Sequence, residues 1–254
     1  MKLRYITCSD PREHNSIESI VKLAHMPNAE IAVQCHPSKM SPGMPRNVWF
    51  EKLLKVAEQM PFMNLAIHIN TEWANDMCVN GNIPYPLSAW FKEENYRNQP
   101  IIQRVQLNMP KQTAEAINIY HIARIIDCYW DKEFIFQYND NTKDAIRKLH
   151  DANIKFSLLF DASGGMGVAP ESWQKPIYET HPMGYSGGMS PDNVVGNLRK
   201  INALVPNDTP IWIDAEGKLK SNDLFDEKPK FDIELARNYI KRANMWQKMN
   251  TRQK

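Results

Sequence analysis

The sequence predicts a single (β/α)8 barrel, an α/β fold in which parallel strands alternate with helices. Its 254 residues suit one barrel of typical size. Short apolar or β-branched runs alternate with helical patterns from end to end, and no linker, repeat or low-complexity segment interrupts them. Right-handed crossovers in a chain of this length close most simply into a barrel. An open doubly wound sheet is the alternative, although no GxGxxG pattern follows the first strand.

The strands are predicted from runs rich in β-branched and aromatic residues between Asn, Pro and Gly positions. In chain order the runs are LRYITC (3–8), AEIAVQC (29–35), NLAIHIN (64–70), IIQRVQL (101–107), EFIFQY (133–138), KFSLLFD (155–161), PMGYSG (182–187) and PIWID (210–214). Each is short and apolar enough to be a strand buried on both faces, as in a parallel sheet.

The helices are predicted from apolar residues that recur every three or four positions between these runs. In chain order they occupy 16–24, 47–60, 71–79, 114–130, 142–149, a short segment 170–176, 193–205 and 232–249. In the last of them Ile233, Ala236, Ile240 and Ala243 follow helical spacing. Residues 81–100 exceed a normal connection, which predicts an insertion or a lid.

The composition excludes several classes of function. Net charge is +2, from 31 Lys and Arg against 29 Asp and Glu, and no basic block suggests nucleic acid as a partner. No signal peptide and no run long enough to span a bilayer is evident, so we expect a cytoplasmic protein without membrane association. Four scattered cysteines without CxxC pairs predict free thiols. No cofactor motif occurs, which leaves a small molecule as the expected partner.

The pocket of such a barrel forms at the carboxyl ends of the strands. Cys8 and Asp161 end the first and sixth predicted strands. A thiol and a carboxyl that face each other could divide proton chemistry between a base and an acid. Two alternatives stay open: Cys8 as a small buried core residue, and Asp161 as a turn or helix-capping residue.

Paired glycines follow the sixth and seventh predicted strands, as Gly164–Gly165 and Gly187–Gly188. Glycine lets the backbone approach a ligand closely, and a helix start after the second pair offers free N–H groups. Barrels of this class commonly bind phosphate in the loops after strands seven and eight. The second pair therefore predicts an anion site, with a simple tight turn as the alternative.

The order of these motifs resembles the phosphoribosylanthranilate isomerase family, which has a (β/α)8 barrel of the ribulose-phosphate-binding type. YITCSDPRE is similar to that family's K-I-C-G-[LI]-T, and RVQLN to V-Q-L-H-G. LLFDASGGMG is similar to an aspartate followed by G-G-[ST]-G. YSGGMSPDNVVGNL resembles L-S-G-G-L-x-P-E-N-V, the most specific match. The correspondence runs in order over nearly the whole chain.

The resemblance implies an Amadori rearrangement, an acid–base isomerisation of an aminoaldose to an aminoketose without a cofactor or metal. Cys8 would be the general base and Asp161 the general acid. Gly187 and Gly188 would donate backbone N–H groups to a substrate phosphate. Asp214 would lie near the anthranilate end of the substrate.

The chain departs from the family at several ligand-binding positions. Its eighth-strand loop carries Ala215–Glu216–Gly217 in place of Ser-Ser-Gly, and a carboxylate there repels phosphate unless Lys218 or Lys220 offsets it. Met40 stands where the family has an arginine, so Lys39 or Arg46 is the expected replacement. The expected ligand-binding residues are Gly164, Gly165, Gly187, Gly188, Asp214, Glu216, Gly217, Lys39 and Arg46. The pattern predicts isomerase-type chemistry on a sugar phosphate or a related small molecule.

Two further hypotheses belong to other classes. A metal-assisted enzyme would gather imidazoles and carboxylates around one cation. The residues available for this are His36, His68, Asp161, Asp214 and Glu216. Alternatively, a barrel that has lost catalysis would bind a small molecule in its pocket, or a partner through residues 81–100.

Overall fold

The structure is a computed structural model that describes residues 1–162, 164, 166–222 and 228–251. Within these residues eight parallel strands close into a barrel in which β8 pairs with β1. The barrel strands are β1 (Lys2–Ser9), β2 (Ala29–Cys35), β3 (Asn64–Ile69), β4 (Ile102–Leu107), β5 (Glu133–Tyr138), β6 (Ser157–Phe160), β7 (Met183–Ser186) and β8 (Pro210–Ala215). The predicted fold class is therefore confirmed, and every predicted strand is present. The short helical segment predicted at 170–176 is wrong, because these residues form bends and irregular chain between two prolines.

Helices cover the outside of the barrel, between the strands. They are α1 (Ile17–Ala24), α2 (Pro37–Met40), α3 (Pro45–Ala57), α4 (Thr71–Asn75), α5 (Leu87–Trp90), α6 (Lys111–Glu115), α7 (Ile119–Cys128), α8 (Lys143–Asp151), α9 (Val194–Asn202) and α10 (Ile233–Thr251). A π-helical turn, Asp76–Asn80, continues α4, and a 3-10 turn, Gly217–Leu219, follows β8. Beyond it β9 (Lys220–Ser221) pairs antiparallel with β10 (Lys230–Phe231). No helix in the described ranges is long and apolar enough to cross a bilayer.

Side chains alternate between the barrel interior and the layer under the helices. The outward set is apolar and forms the main core with the helices. The inward set is largely polar, apart from a small cluster in which Ile135, Leu159 and Trp212 pack together. Gly184 of β7 makes room for this cluster, because a Cβ there would lie 2.1 Å from the Trp212 indole.

Residues 81–100 form an insertion at the amino-terminal end of the barrel. They follow the π-helical turn and lead into β4, and the Tyr96 N–H donates to the Glu58 carbonyl at the end of α3 (2.9 Å). The pocket described below opens at the other end of the strands, and no residue of 81–100 lines it. The role of this segment, as an insertion or as a lid, stays a prediction.

Candidate functional site

A cavity of about 700 Å³ opens at the carboxyl ends of the barrel strands. Nearly all residues predicted from the sequence line it. These are Asp161, Gly164, Gly187, Gly188, Asp214, Glu216, Gly217, Lys39 and Arg46. Gly165 lies outside the described residues. These positions are scattered in the sequence, and they were predicted to lie together only from the rule that barrel pockets form at the carboxyl ends of the strands.

Cys8 is the exception, and the prediction that its thiol faces Asp161 across the pocket is wrong. The next residue, Ser9, points into the barrel and donates from Oγ to Asp214 Oδ1 (2.6 Å). Because side chains alternate along a strand, Cys8 points outward, where it is fully buried in the core that includes Tyr239 of α10. Burial, with a further contribution from Asp214, raises the pKa of this thiol well above its ordinary value.

Asp214 is the carboxyl most strongly perturbed by the pocket. It is the last residue but one of β8, on the inward face, and is almost fully buried. Burial raises the pKa of Asp214 to about 8; the hydrogen bond from Ser9 opposes this, and the nearby charges of Glu216, Glu30 and Asp161 add to it. Near neutral pH this carboxyl is therefore largely protonated and can donate a proton. The sequence identified Asp214 only as a ligand-binding residue.

Asp161 lies two strands away from Asp214 at the same end of the barrel. It follows β6 directly, is buried, and lines the cavity. Its backbone carbonyl accepts the N–H of Gly164 (3.0 Å), so the turn predicted after β6 is present as well. Two carboxyls of different environment thus share one pocket, an arrangement that separates acid and base roles.

Glu216 points away from the glycine turn, toward β2. Lys220 Nζ lies 2.9 Å from its Oε1, and Gln34 Nε2 donates to its Oε2 (2.9 Å). Lys220 also lies 2.8 Å from Asp10 Oδ2. Burial alone would lower the pKa of Lys220, but Glu216 and Asp10 outweigh it and raise that pKa. The lysine therefore offsets the carboxylate that the sequence identified as an obstacle to anion binding.

Arg46 and Lys39 differ in how far their charges are available. Arg46 is buried, with Nη1 3.5 Å from Asp10 Oδ1 and Nε 3.2 Å from Glu13 Oε2. Lys39 lines the pocket and forms no ion pair with any residue that the structure describes, and the same holds for Lys218. Of the two replacements expected for the missing arginine, Lys39 is the one whose charge remains available to a ligand.

The turn after β7 requires its glycines for packing as well as for backbone conformation. Gly187 and Gly188 have φ of 121° and 58°. A Cβ at Gly188 would lie 2.8 Å from the backbone nitrogen of Ala169 in the preceding loop. Asn193 Nδ2 donates to the Gly188 carbonyl (2.9 Å) and fixes the turn. The turn lines the cavity, and its role as an anion site stays a prediction.

A chain of side-chain amides, which the sequence analysis did not identify, crosses the wall formed by β2, β3 and β4. Gln106 Nε2 donates to Asn108 Oδ1 (2.8 Å), and Asn108 Nδ2 donates to Asn70 Oδ1 (2.8 Å). Asn70 Nδ2 then donates to Gln34 Oε1 (2.7 Å). The alternation of strands β2 and β4 places the two glutamines inward, and this was the signal available in the sequence.

His68 of β3 is a buried neutral histidine at the floor of the pocket. Its Nδ1 lies 3.3 Å from Gln34 Nε2. Burial, with the nearby Arg104 as a further cause, lowers the pKa of His68 to about 3. His68 is therefore a neutral, hydrogen-bonded residue of the barrel interior.

The five residues considered for a metal site all line the cavity, but they do not converge. Among the residues that the structure describes, no group of three His, Cys, Asp or Glu side chains is placed to hold a metal ion. The site geometry thus gives the metal-assisted hypothesis no support.

Two pocket residues have a left-handed backbone that is unusual for side chains of their type. Asp10 has φ of 74° and Thr71, which is β-branched, has φ of 51°. Such conformations cost about 1–3 kcal/mol each and cluster at functional sites. Both residues line the cavity, which is consistent with a pocket shaped for a ligand.

No protein-family model and no curated protein sequence matches the chain. Solved structures do match. TrpF from Jonesia denitrificans superposes with a TM-score of 0.53 at 13% sequence identity, over 94% of this chain and 96% of that one. A monomeric form of the dimeric phosphoribosylanthranilate isomerase from Thermotoga maritima gives a TM-score of 0.52 at 14% identity, over 96% and 99%. At these identities the likeness shows the fold alone, a (β/α)8 barrel.

Proposed function

We propose that this barrel is an enzyme that isomerises a small sugar-like substrate, of the sugar-phosphate class, by moving a proton between neighbouring carbons. Asp214 is the general acid and Asp161 the general base. The buried protonated carboxyl of Asp214, beside a second carboxyl in one cavity, is the observation that carries the proposal. A buried carboxyl of raised pKa beside a second carboxyl in one pocket is typical of acid–base catalysis.

The chemistry needs no redox partner. Asp214 donates its proton to the carbonyl oxygen at C1 while Asp161 removes the proton from C2, which gives an enediol. Asp161 then returns its proton to C1 as Asp214 takes the proton from the oxygen at C2. The product is the ketose isomer, and both carboxyls regain their starting states.

The rim of the pocket supports an anionic substituent on the substrate. Lys39 and Lys218 line it from the loops after β2 and β8, without ion pairs to the described residues. Gly187 and Gly188 lie on the same rim and present backbone rather than side chains. Glu216 is engaged by Lys220, so its carboxylate no longer argues against a phosphate there.

Proton exchange in D2O tests the proposal without advance knowledge of the product. The protein is incubated with ribose 5-phosphate, arabinose 5-phosphate and phosphoribosylanthranilate, and NMR follows deuterium at C2 of the recovered aldose and at C1 of the ketose product. We expect incorporation with at least one substrate, a rate that falls above about pH 8 as Asp214 loses its proton, and a loss of at least about 100-fold in Asp161→Asn and Asp214→Asn.

Cys8→Ala is the matched control, because the structure places Cys8 outside the pocket. Its exchange rate should equal that of the wild type. A loss of exchange in a folded Cys8→Ala variant, together with normal exchange in Asp214→Asn, would contradict the assignment of the acid–base pair.

A barrel that binds its ligand without turnover is the second candidate. It is favoured by one observation, that the thiol which the resemblance assigns as base is not in the cavity. Measurable binding of these sugar phosphates with no deuterium incorporation in any of them would support this candidate over the enzyme.

A further inference from the structure

We infer that the β4–β5 wall of the pocket is a hydroxyl-binding subsite, in which Gln106 and Gln137 bind the secondary hydroxyls of a polyol chain. The inference rests on the proposed function in placing the substrate in this cavity. It adds the chemical class that the wall selects and the side chains that select it.

Gln106 is the first member of the chain of amides, and Gln137 lies on the next strand, between that chain and Asp161. Leu107 of β4 pairs with Phe136 of β5, so the next residues along the two strands, Asn108 and Gln137, are level with each other. On its other side Gln137 pairs with Leu159, two residues before Asp161. A ligand whose reacting carbons lie beside Asp161 would therefore have the rest of its chain beside the amides of Gln137 and Gln106.

Both side chains are buried, yet they retain unused hydrogen-bonding groups. Gln137 is 9% exposed, and its side-chain amide makes no hydrogen bond with any residue the structure describes. Gln106 is 2% exposed; its Nε2 donates to Asn108, while its Oε1 accepts nothing from the described chain. Both residues line the cavity, so these unused amide groups are open to it and can bond a ligand that enters.

The rest of the wall holds Gln106 in one orientation. Asn108 donates to Asn70, which donates to Gln34, which donates to Glu216. Each amide in this chain donates through its nitrogen to the next one, so Asn108 has only its Oδ1 left to bond Gln106. Gln106 must therefore donate through Nε2, and its Oε1 is held as an acceptor that faces no partner in the described chain. Orientation set before the ligand arrives reduces the cost of binding.

Hydroxyls match this wall better than other groups do. A hydroxyl both donates and accepts, as an amide does, whereas phosphate and carboxylate only accept. An apolar ligand would leave both amides without partners. The cations of the lining, Arg12, Lys39, Arg46 and Lys218, come from the loops after β1, β2 and β8 and from α3, so an anionic group is drawn to that side of the pocket.

Two probes of equal length isolate the effect of the hydroxyls. D-ribitol 5-phosphate and 5-hydroxypentyl phosphate share the phosphate, the five carbons and the terminal hydroxyl, and differ in three secondary hydroxyls. By calorimetry the wild type should bind the ribitol probe at least about tenfold tighter. Equal affinities, or no binding of the ribitol probe, would overturn the inference, and this comparison requires no variant.

The variants locate the preference. Gln106→Met with Gln137→Met keeps side-chain length and removes the amides, so only the ribitol probe should bind more weakly and the preference should disappear. Gln103→Met, on the outward face of β4, is the matched control and should retain it. A preference that survives the double change overturns the assignment. Because binding requires no turnover, a hydroxyl preference without deuterium exchange would refute the proposed reaction and leave the subsite standing.

Discussion

At the scale of single residues, Asp214 makes the sharpest prediction, because its titration links the pocket to stability. Its pKa is about 8 in the folded protein, against an ordinary value of 3.8. Between these values the folded state holds a proton that the unfolded state has lost. The free energy of unfolding therefore falls as pH rises from about 4 to 8, by about 1 kcal/mol per pH unit from this group.

Asp214→Asn should remove that contribution. Urea unfolding at pH 5, 6.5 and 8 should give a flatter dependence on pH in the variant, which gains stability relative to the wild type toward pH 8. Asp144→Asn, at an exposed position on α8, is the control and should retain the wild-type slope. An unchanged slope in Asp214→Asn would show that the folded carboxyl titrates normally.

Cys8 shows where residue-level matching to a family misleads. The letters around it fit a family motif, but the inward face of β1 is set by the pattern Tyr5, Thr7, Ser9. Counting along the strand shows only that the thiol and the Ser9 hydroxyl point to opposite faces. Which of the two faces is inward becomes certain only when the partners of Thr7 and Ser9 across the barrel are known, and a single sequence does not contain them.

At the scale of elements, strands were predicted more accurately than their connections. β2 and β5 begin and end as the β-branched and aromatic runs predict. The sixth run was predicted from 155, whereas β6 begins at Ser157, because the residues before it lie beyond the last pairing with β5. The insertion at 81–100 was visible as an excess of length. The end of the barrel on which it lies follows from its position before β4 rather than from its composition.

The glycine turn after β7 is an element whose requirement for glycine can be measured. Gly188→Ala places a Cβ in a left-handed backbone, 2.8 Å from a backbone atom of the preceding loop. We expect a loss of about 1–3 kcal/mol in the free energy of unfolding. Gly196→Ala, in helix α9 with open space around it, should instead gain about 0.5–1 kcal/mol. Equal effects of the two substitutions in urea unfolding would contradict the assigned role of the turn.

At the scale of the whole molecule, the barrel was predictable because the alternation of strand and helix patterns repeats along the chain. The polar interior was not predictable, because it depends on contacts between strands that are distant in the sequence. Arg104 of β4 lies at its centre. Its Nη1 donates to Glu30 Oε1 (2.7 Å), and its Nε lies 3.3 Å from Glu133 Oε2. The guanidinium also lies 4.2 Å from the Trp212 ring centroid. In the sequence Arg104 reads only as a charge within an otherwise apolar strand.

Removing that charge should destabilise the barrel strongly. Arg104→Met leaves the buried carboxylate of Glu30 without its cation, which costs about 3–5 kcal/mol for pairs of this kind. Adding Glu30→Gln and Glu133→Gln removes the charges left behind and should recover part of the loss. Arg147→Met, which breaks an exposed pair with Asp144 on α8, should change the free energy of unfolding by less than about 0.5 kcal/mol. If Arg104→Met lowered the free energy of unfolding as little as Arg147→Met does, the charges of Arg104, Glu30 and Glu133 would not depend on one another. Arg104 would then also lose its place as a cause of the lowered pKa of His68.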